Sequence, residues 1–142
     1  MTIKVGDKIP SVTLHTMTKE GPKPIASDDI FRGKKVAVFG VPGAFTPTCS
    51  AKHLPGYVKK AASLKKKGID QIVCLAVNDV FVMGAWGQNQ KVGSKVLMVA
   101  DGDANFAKAS GLELDLNGRG LGLRCQRFAM VVDKGVVRRL AI

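Results

Sequence analysis

Three continuous apolar runs stand out along the chain: Val36–Val41, Ile72–Val77 and Val96–Ala100. Each is rich in β-branched residues and lacks polar alternation, which predicts strands buried on both faces. Between the first two runs the apolar positions change to helical spacing. Val58, Ala61, Ala62 and Leu64 predict the buried stripe of a helix from about Pro47 to Lys67, kinked at Pro55-Gly56 and ended by Gly68. Asn78-Asp79 predicts the start of a second helix through about Lys91, and Asp103–Ser110 a short third one closed by Gly111. Ahead of the first run, Val12–His15 predicts a short strand and Thr16–Pro24 a turn-rich loop. Ser27, followed by Asp28 and Asp29, predicts a helix start, with Gly33 closing that helix. Residues 112–125 read as a glycine-rich loop. Phe128–Asp133, Lys134-Gly135 and Val136–Ile142 then read as a hairpin. Strands alternating with helices, then a hairpin, predict an α/β sandwich around a mixed sheet. In such folds ligands gather at the carboxyl ends of parallel strands.

Length and composition narrow the class. At 142 residues and 46% apolar content, one domain with a sizeable core is expected over 1–142. The first residues, MTIKVGDKIP, have no apolar segment of the kind a secretory leader needs, and no run approaches a membrane span. A cytoplasmic protein with no membrane partner is expected. Cys49, Cys74 and Cys125 are odd in number and form no C-x-x-C pair, while His15 and His53 lie far apart. That argues against a disulfide scaffold and a zinc site, and for reactive thiol chemistry. The net charge of +11 is large, but the lysines are scattered and not interleaved with aromatics. A solvated basic surface is favoured over nucleic-acid binding.

The chemistry concentrates at residues 40–50, GVPGAFTPTCS. This stretch follows a predicted buried strand. Thr46 suits an N-cap and Pro47 the first helical position, where the missing N–H costs nothing. Cys49 then falls in the first turn, beside unpaired backbone N–H groups and the positive helix end. Both stabilise a thiolate, the nucleophilic form of cysteine. Thr46, three residues before Cys49, can hydrogen-bond a small ligand beside the sulfur. Pro42 and Gly43 allow the backbone to pass close to the pocket. His53, four residues after Cys49, lies on the same helix face. A Cys-His pair is conceivable, but a partly exposed histidine at the pocket mouth is favoured.

PGAFTPTCS resembles the active-site segment of the peroxiredoxins, with P-x-x-x-T-x-x-C at Pro42, Thr46 and Cys49. GVPGAFTPTCS followed by HLPGY, VNDVFVMGAWG at 77–87 and RFAMVVD at 127–133 resemble the type-5 subgroup, which includes the plant type-II enzymes. The resemblance runs from about Val5 to the last residue. It implies a thioredoxin-like fold, a mixed β-sheet flanked by helices, with the family's C-terminal helix absent from this chain. It implies a thiol-dependent peroxidase reducing hydrogen peroxide and alkyl hydroperoxides through a cysteine sulfenic acid.

Carried over by position, Cys49 is the peroxidatic cysteine. Thr46 accepts from it or positions the peroxide, Pro42 shields the pocket, and Arg127 lowers the thiolate pKa and binds the transferring oxygens. From the residues alone, Arg127 reads as a surface charge at a strand start. Cys74, inside IVCLAV, packs as a small apolar residue in one reading. In the other it is a resolving cysteine, because plant-like members carry a cysteine there. Cys125 is a lesser candidate for the same role. A one-cysteine cycle is expected, with glutathione, glutaredoxin or thioredoxin as reductant and no metal or organic cofactor. The family also implies a homodimer, with Phe45, Phe81 and Trp86 as contact or core residues. The alternative is a non-catalytic thioredoxin-like binding module with a basic, anion-binding surface. A holdase-like role on oxidation is a weaker third.

Overall fold

The computed structural model describes the backbone of residues 1–142 and every side chain except those of Cys49 and Ala51. In chain order the elements are β1 (Thr13–Thr18), β2 (Gly21–Ala26), α1 (Ser27–Phe31) and β3 (Lys35–Val41). A π-helical segment (Cys49–His53) then runs into α2 (Leu54–Lys66), followed by β4 (Gln71–Ala76), α3 (Val80–Asn89), β5 (Leu97–Ala100) and α4 (Asn105–Ser110). The chain finishes with β6 (Glu113–Leu116), β7 (Gly122–Cys125), β8 (Phe128–Asp133) and β9 (Val136–Ala141).

Seven strands form one mixed sheet in the order β2-β1-β5-β4-β3-β8-β9. β3, β4 and β5 are parallel, joined by α2 and α3, and β8 lies antiparallel to β3. The period of two sorts the central strands onto two cores. Val36, Val38, Val73, Leu75 and Val132 face one way, with Ile30, Phe31 and Phe106 of α1 and α4. Ala37, Phe39, Val41, Ile72, Cys74 and Ala76 face the other, with Leu54 of α2 and Met83 and Trp86 of α3. The apolar runs lack alternation because both faces are covered.

Several expectations are corrected. Thr16–Pro24 is not a loop: it falls within a hairpin in which Thr16 pairs with Lys23 and Met17 with Pro22. Two prolines fit there because β2 is the sheet's edge, where a missing N–H costs no ladder bond. Residues 112–125 likewise form a separate two-stranded sheet, β6 with β7. Its strands are only partly buried, so no strong apolar signal marked them. Ser27 does not cap α1. Its buried hydroxyl donates to the Pro10 carbonyl (2.7 Å) and accepts from the Val12 N–H (2.9 Å), tying the N-terminal segment to the sheet. Ala62 points to solvent, leaving Leu54 and Ala61 as the fully buried positions of α2. Trp86 is 0% exposed and belongs to the core, whereas Phe45 and Phe81 are 50% and 64% exposed.

Candidate active site

The loop after β3 carries an internal side-chain hydrogen bond and one to a residue just past the end of β4, and it packs against Arg124. The Thr46 hydroxyl donates to the Gly43 carbonyl (2.7 Å), and the Ala44 N–H donates to Asn78 Oδ1 beyond the end of β4 (2.9 Å). Arg124 comes in from β7, donating to the Val77 carbonyl (3.3 Å) and the Leu121 carbonyl (2.7 Å). A Cβ on Gly43 would meet Thr46 Cγ2 at 3.1 Å and the Arg124 guanidinium at 3.3 Å, so the loop passes tightly between them. Phe45 sits at φ 63°, a left-handed conformation that costs a side-chain-bearing residue about 1–2 kcal/mol. Such strain persists only where surrounding contacts over-determine it, and here Asn78 and Thr46 supply them.

The helix opens at Pro47, and the Ser50 N–H donates to the Thr46 carbonyl (2.9 Å), so Cys49 lies in the first turn. The expectation that its sulfur is a stabilised thiolate lies outside the described side chains. Thr46 sits at the cap position, but its proton is given to Gly43. The helix widens into the π-helical segment just before Pro55, which has no N–H for a regular bond. The kink expected at Pro55-Gly56 therefore takes the form of a π-bulge one turn earlier. Next to it, the buried Trp86 donates its indole N–H to Ser50 Oγ (3.0 Å) and ties α3 to this segment.

Sheet register brings Arg127 to the same place. Gly40 pairs with Phe128, so Arg127 stands across from Val41, where the loop begins. It is half-buried rather than a surface charge, and its Nη1 donates to His53 Nδ1 at 2.9 Å. Arginine has no acceptor, so His53 must be neutral with its proton on Nε2. Burial first, and the Arg127 charge second, lower the His53 pKa below 6.5, which favours that state. The imidazole packs against Phe39 (centroids 5.0 Å) and Tyr57 (5.7 Å), and Tyr57 stacks on Phe39 at 3.9 Å. Burial, then Cys74, raises the Tyr57 pKa.

Cys74 and Cys125 are both 0% exposed and lie in opposite cores, Cys74 under α2 and α3 and Cys125 on the far side. Cys125 donates its thiol proton to the Gln126 carbonyl (3.3 Å). Burial and the nearby Asp101 push its pKa up to about 12, far from a nucleophile's range.

The sequence reading named Pro42, Thr46, Cys49 and Arg127. The structure sets Pro42, Thr46 and the Cys49 backbone in one loop and helix start, and Arg127 at the adjoining strand end. The sequence alone does not point to Arg124 and Asn78 beside the loop, or to the bond between His53 and Arg127. Asn78 carried only a helix-start signal, and Arg124 lay in a segment read as loop.

Comparisons with known proteins agree with this geometry. The Redoxin family model matches residues 4–142. Peroxiredoxin-2B of Arabidopsis thaliana is 49% identical over 92% of this chain and 82% of its own length. The structure of reduced Prx3 from Vibrio vulnificus in complex with hydrogen peroxide superposes with TM-score 0.95 at 52% identity, covering 99% of this chain and 88% of that one. Peroxiredoxin 5 from Alvinella pompejana follows with TM-score 0.88 at 39% identity, covering 98% and 88%. With the loop, the helix start and the arginine-bearing strand arranged around one end of β3, the chain belongs to the Redoxin family as a peroxiredoxin, a thiol-dependent peroxidase on a thioredoxin-like fold.

Proposed function

We propose that this peroxidase reduces hydrogen peroxide and alkyl hydroperoxides with Cys49 as nucleophile. The observation that carries the reading is the convergence of the Cys49-bearing helix start, Thr46 and Arg127 at one end of β3. The Cys49 thiolate attacks one peroxide oxygen, the O–O bond breaks, and the alcohol or water leaves as the sulfur becomes sulfenic acid. The Thr46 proton is committed to Gly43, so its oxygen presents lone pairs that accept from the peroxide or the thiol. The Arg127 guanidinium supplies positive charge where the leaving oxygen becomes anionic. Pro42, half-buried at the turn after β3, screens the sulfur from water. The Prx3 structure holding hydrogen peroxide supports this substrate.

We further propose a one-cysteine cycle in which glutathione, glutaredoxin or thioredoxin removes the sulfenic acid. The complete burial of Cys74 and Cys125, in opposite cores, supports it. Phe45 and Phe81, exposed beside the active-site loop and on α3, support a homodimer through that face. A cytoplasmic location completes the reading.

Stopped-flow peroxide consumption by the wild type and Cys49→Ser, with mass spectrometry of the oxidised form, tests the core claim. A dimedone adduct on Cys49 is expected, and retained activity in the serine variant overturns it. Cys74→Ala is expected to keep turnover with an external thiol, and its loss refutes the one-cysteine cycle. Phe45→Ser with Phe81→Ser is expected to give monomers in sedimentation, and an unchanged mass refutes this interface.

A further inference from the structure

Charge is segregated in this fold. The stretch from Cys49 through Lys67 carries Lys52, Lys59, Lys60, Lys65, Lys66 and Lys67, six of the chain's 22 cationic side chains, and no Asp or Glu. All six lysines are exposed, and no ion pair among the described residues holds any of them. The first acid after the helix, Asp70, has one carboxylate oxygen taken by the Lys35 N–H (2.9 Å). α3, on the same side of the sheet, has no charged residue. The helices of the other side differ: α1 carries Asp28 and Asp29, and α4 a single lysine, Lys108. A surface built only for solubility mixes both signs and does not need this sorting.

Helical spacing sets the pattern. Seven residues is close to two turns, so Lys59 and Lys66 lie on one line and Lys60 and Lys67 on the next, about 10 Å apart along the axis. Leu54 and Ala61 point the other way, into the core. From Lys52 to Lys67 the stripe is roughly 20 Å long. We infer that this helix face is a docking surface for an anionic lipid bilayer, held by charge at the headgroups. Mobile anionic headgroups gather under a row of lysines whatever its spacing, and each lysine near such a surface strengthens binding about fivefold. Nucleic acid fits less well. The face offers no Arg, Asn or Gln to read base edges, and Tyr57 is stacked on Phe39 at 3.9 Å rather than free to stack on a base. The apolar side of the helix is buried in the core, so adsorption is peripheral and screened by salt. The expectation of no membrane partner came from the lack of a spanning segment, which surface adsorption does not need. Cys49 opens this same stretch, so adsorption carries the reacting turn to lipid, where organic hydroperoxides partition. That consequence rests on the peroxidase reading; the binding does not.

Binding is measured on Cys49→Ser, which cannot turn over, by sedimentation with vesicles of phosphatidylcholine, either pure or mixed equally with phosphatidylglycerol. At about 0.05 M salt the protein is expected to pellet with the mixed vesicles and to stay in solution with the neutral ones, and at about 0.5 M salt to be released. Lys59→Gln/Lys66→Gln is expected to weaken binding about twentyfold. Lys95→Gln/Lys108→Gln makes the same change in net charge at exposed positions off this helix, and is expected to weaken it less than about threefold. Failure to bind the mixed vesicles, or equal weakening in the two variants, overturns the inference. So does tighter binding to a short DNA duplex than to the mixed vesicles at the same salt, which would assign the stripe to nucleic acid. If the wild type fails to consume peroxide, the peroxidase reading falls while the sedimentation result still decides whether the stripe binds lipid.

Discussion

The bond between Arg127 and His53 makes a pH-dependent prediction that two substitutions at one position isolate. The imidazole accepts from the guanidinium only while neutral. Protonation turns acceptor into donor and sets two cations about 3 Å apart. Burial and Arg127 place the folded His53 pKa below 6.5, its value in the unfolded chain. Between those two values the unfolded chain binds more protons, so stability falls as pH drops through that window and levels off below the folded pKa. A hydrogen bond to a charged group contributes about 1.5–3 kcal/mol. The pair is half-exposed, so about 1 kcal/mol is expected, or about 3 °C in Tm for a chain of this size. A barrier change of that size is about fivefold in rate. His53→Asn places an amide oxygen near the position of Nδ1 and does not titrate. His53→Phe keeps a ring against Phe39 and Tyr57 but offers no acceptor. Denaturant midpoints and the rate of oxidation by peroxide are measured between about pH 7.5 and 5.5, the range in which histidine titrates. The wild type should lose both across the range, His53→Asn should have a flatter slope, and His53→Phe should start low and stay low. If His53→Asn keeps the wild-type slope, or His53→Phe equals the wild type at the upper pH, the bond does not position Arg127.

Gly40→Ala places a methyl against the Phe128 ring, with Cδ1 at 2.5 Å, one residue from Arg127. A loss of about 1–3 kcal/mol in chemical denaturation is expected, and a neutral result would mean that the β3–β8 seam is looser than drawn. Asp101, 2% exposed, accepts from the Phe106 and Ala107 N–H groups (3.1 and 2.9 Å), so Asp101→Ala should cost about 2 kcal/mol by the same assay. Burial raises the Asp101 pKa above 3.8 despite those N–H bonds. The folded chain therefore holds its proton to higher pH, and this group's contribution falls as pH rises through that window. Asp101→Asn should flatten the slope, as seen in denaturation across acid pH. Trp86→Phe removes the donor to Ser50 and should cost about 1 kcal/mol, with faster amide exchange in the π-helical segment as the diagnostic.

Much of this architecture follows from local rules. Val36–Val41 and Ile72–Val77 read as doubly buried strands because every residue in them is apolar, and the sheet does bury both faces. Asp79 read as part of a helix start, and its carboxylate accepts from the Val82 N–H. Thr46-Pro47 placed Cys49 in a first turn because cap and proline preferences act within a few residues. The misread segments were those whose structure depends on distant partners. Pro22 and Pro24 look like loop residues until β1 pairs with them at a sheet edge, and β6 and β7 bury too little to show a pattern. Ser27 has the chemistry of a cap, but Pro10 and Val12 claim its hydroxyl. Arg127 reads as a surface charge because nothing near it in sequence shows what it faces. Register between β3 and β8 decides that, and folding of the helix decides that His53 meets it. The sequence by itself determined the strands, the helix start and the residue types available for chemistry, since these depend on neighbours along the chain. Only the tertiary structure decided which charges lie on one side of the sheet and which thiols are sealed in separate cores, because those follow from pairings across the sheet.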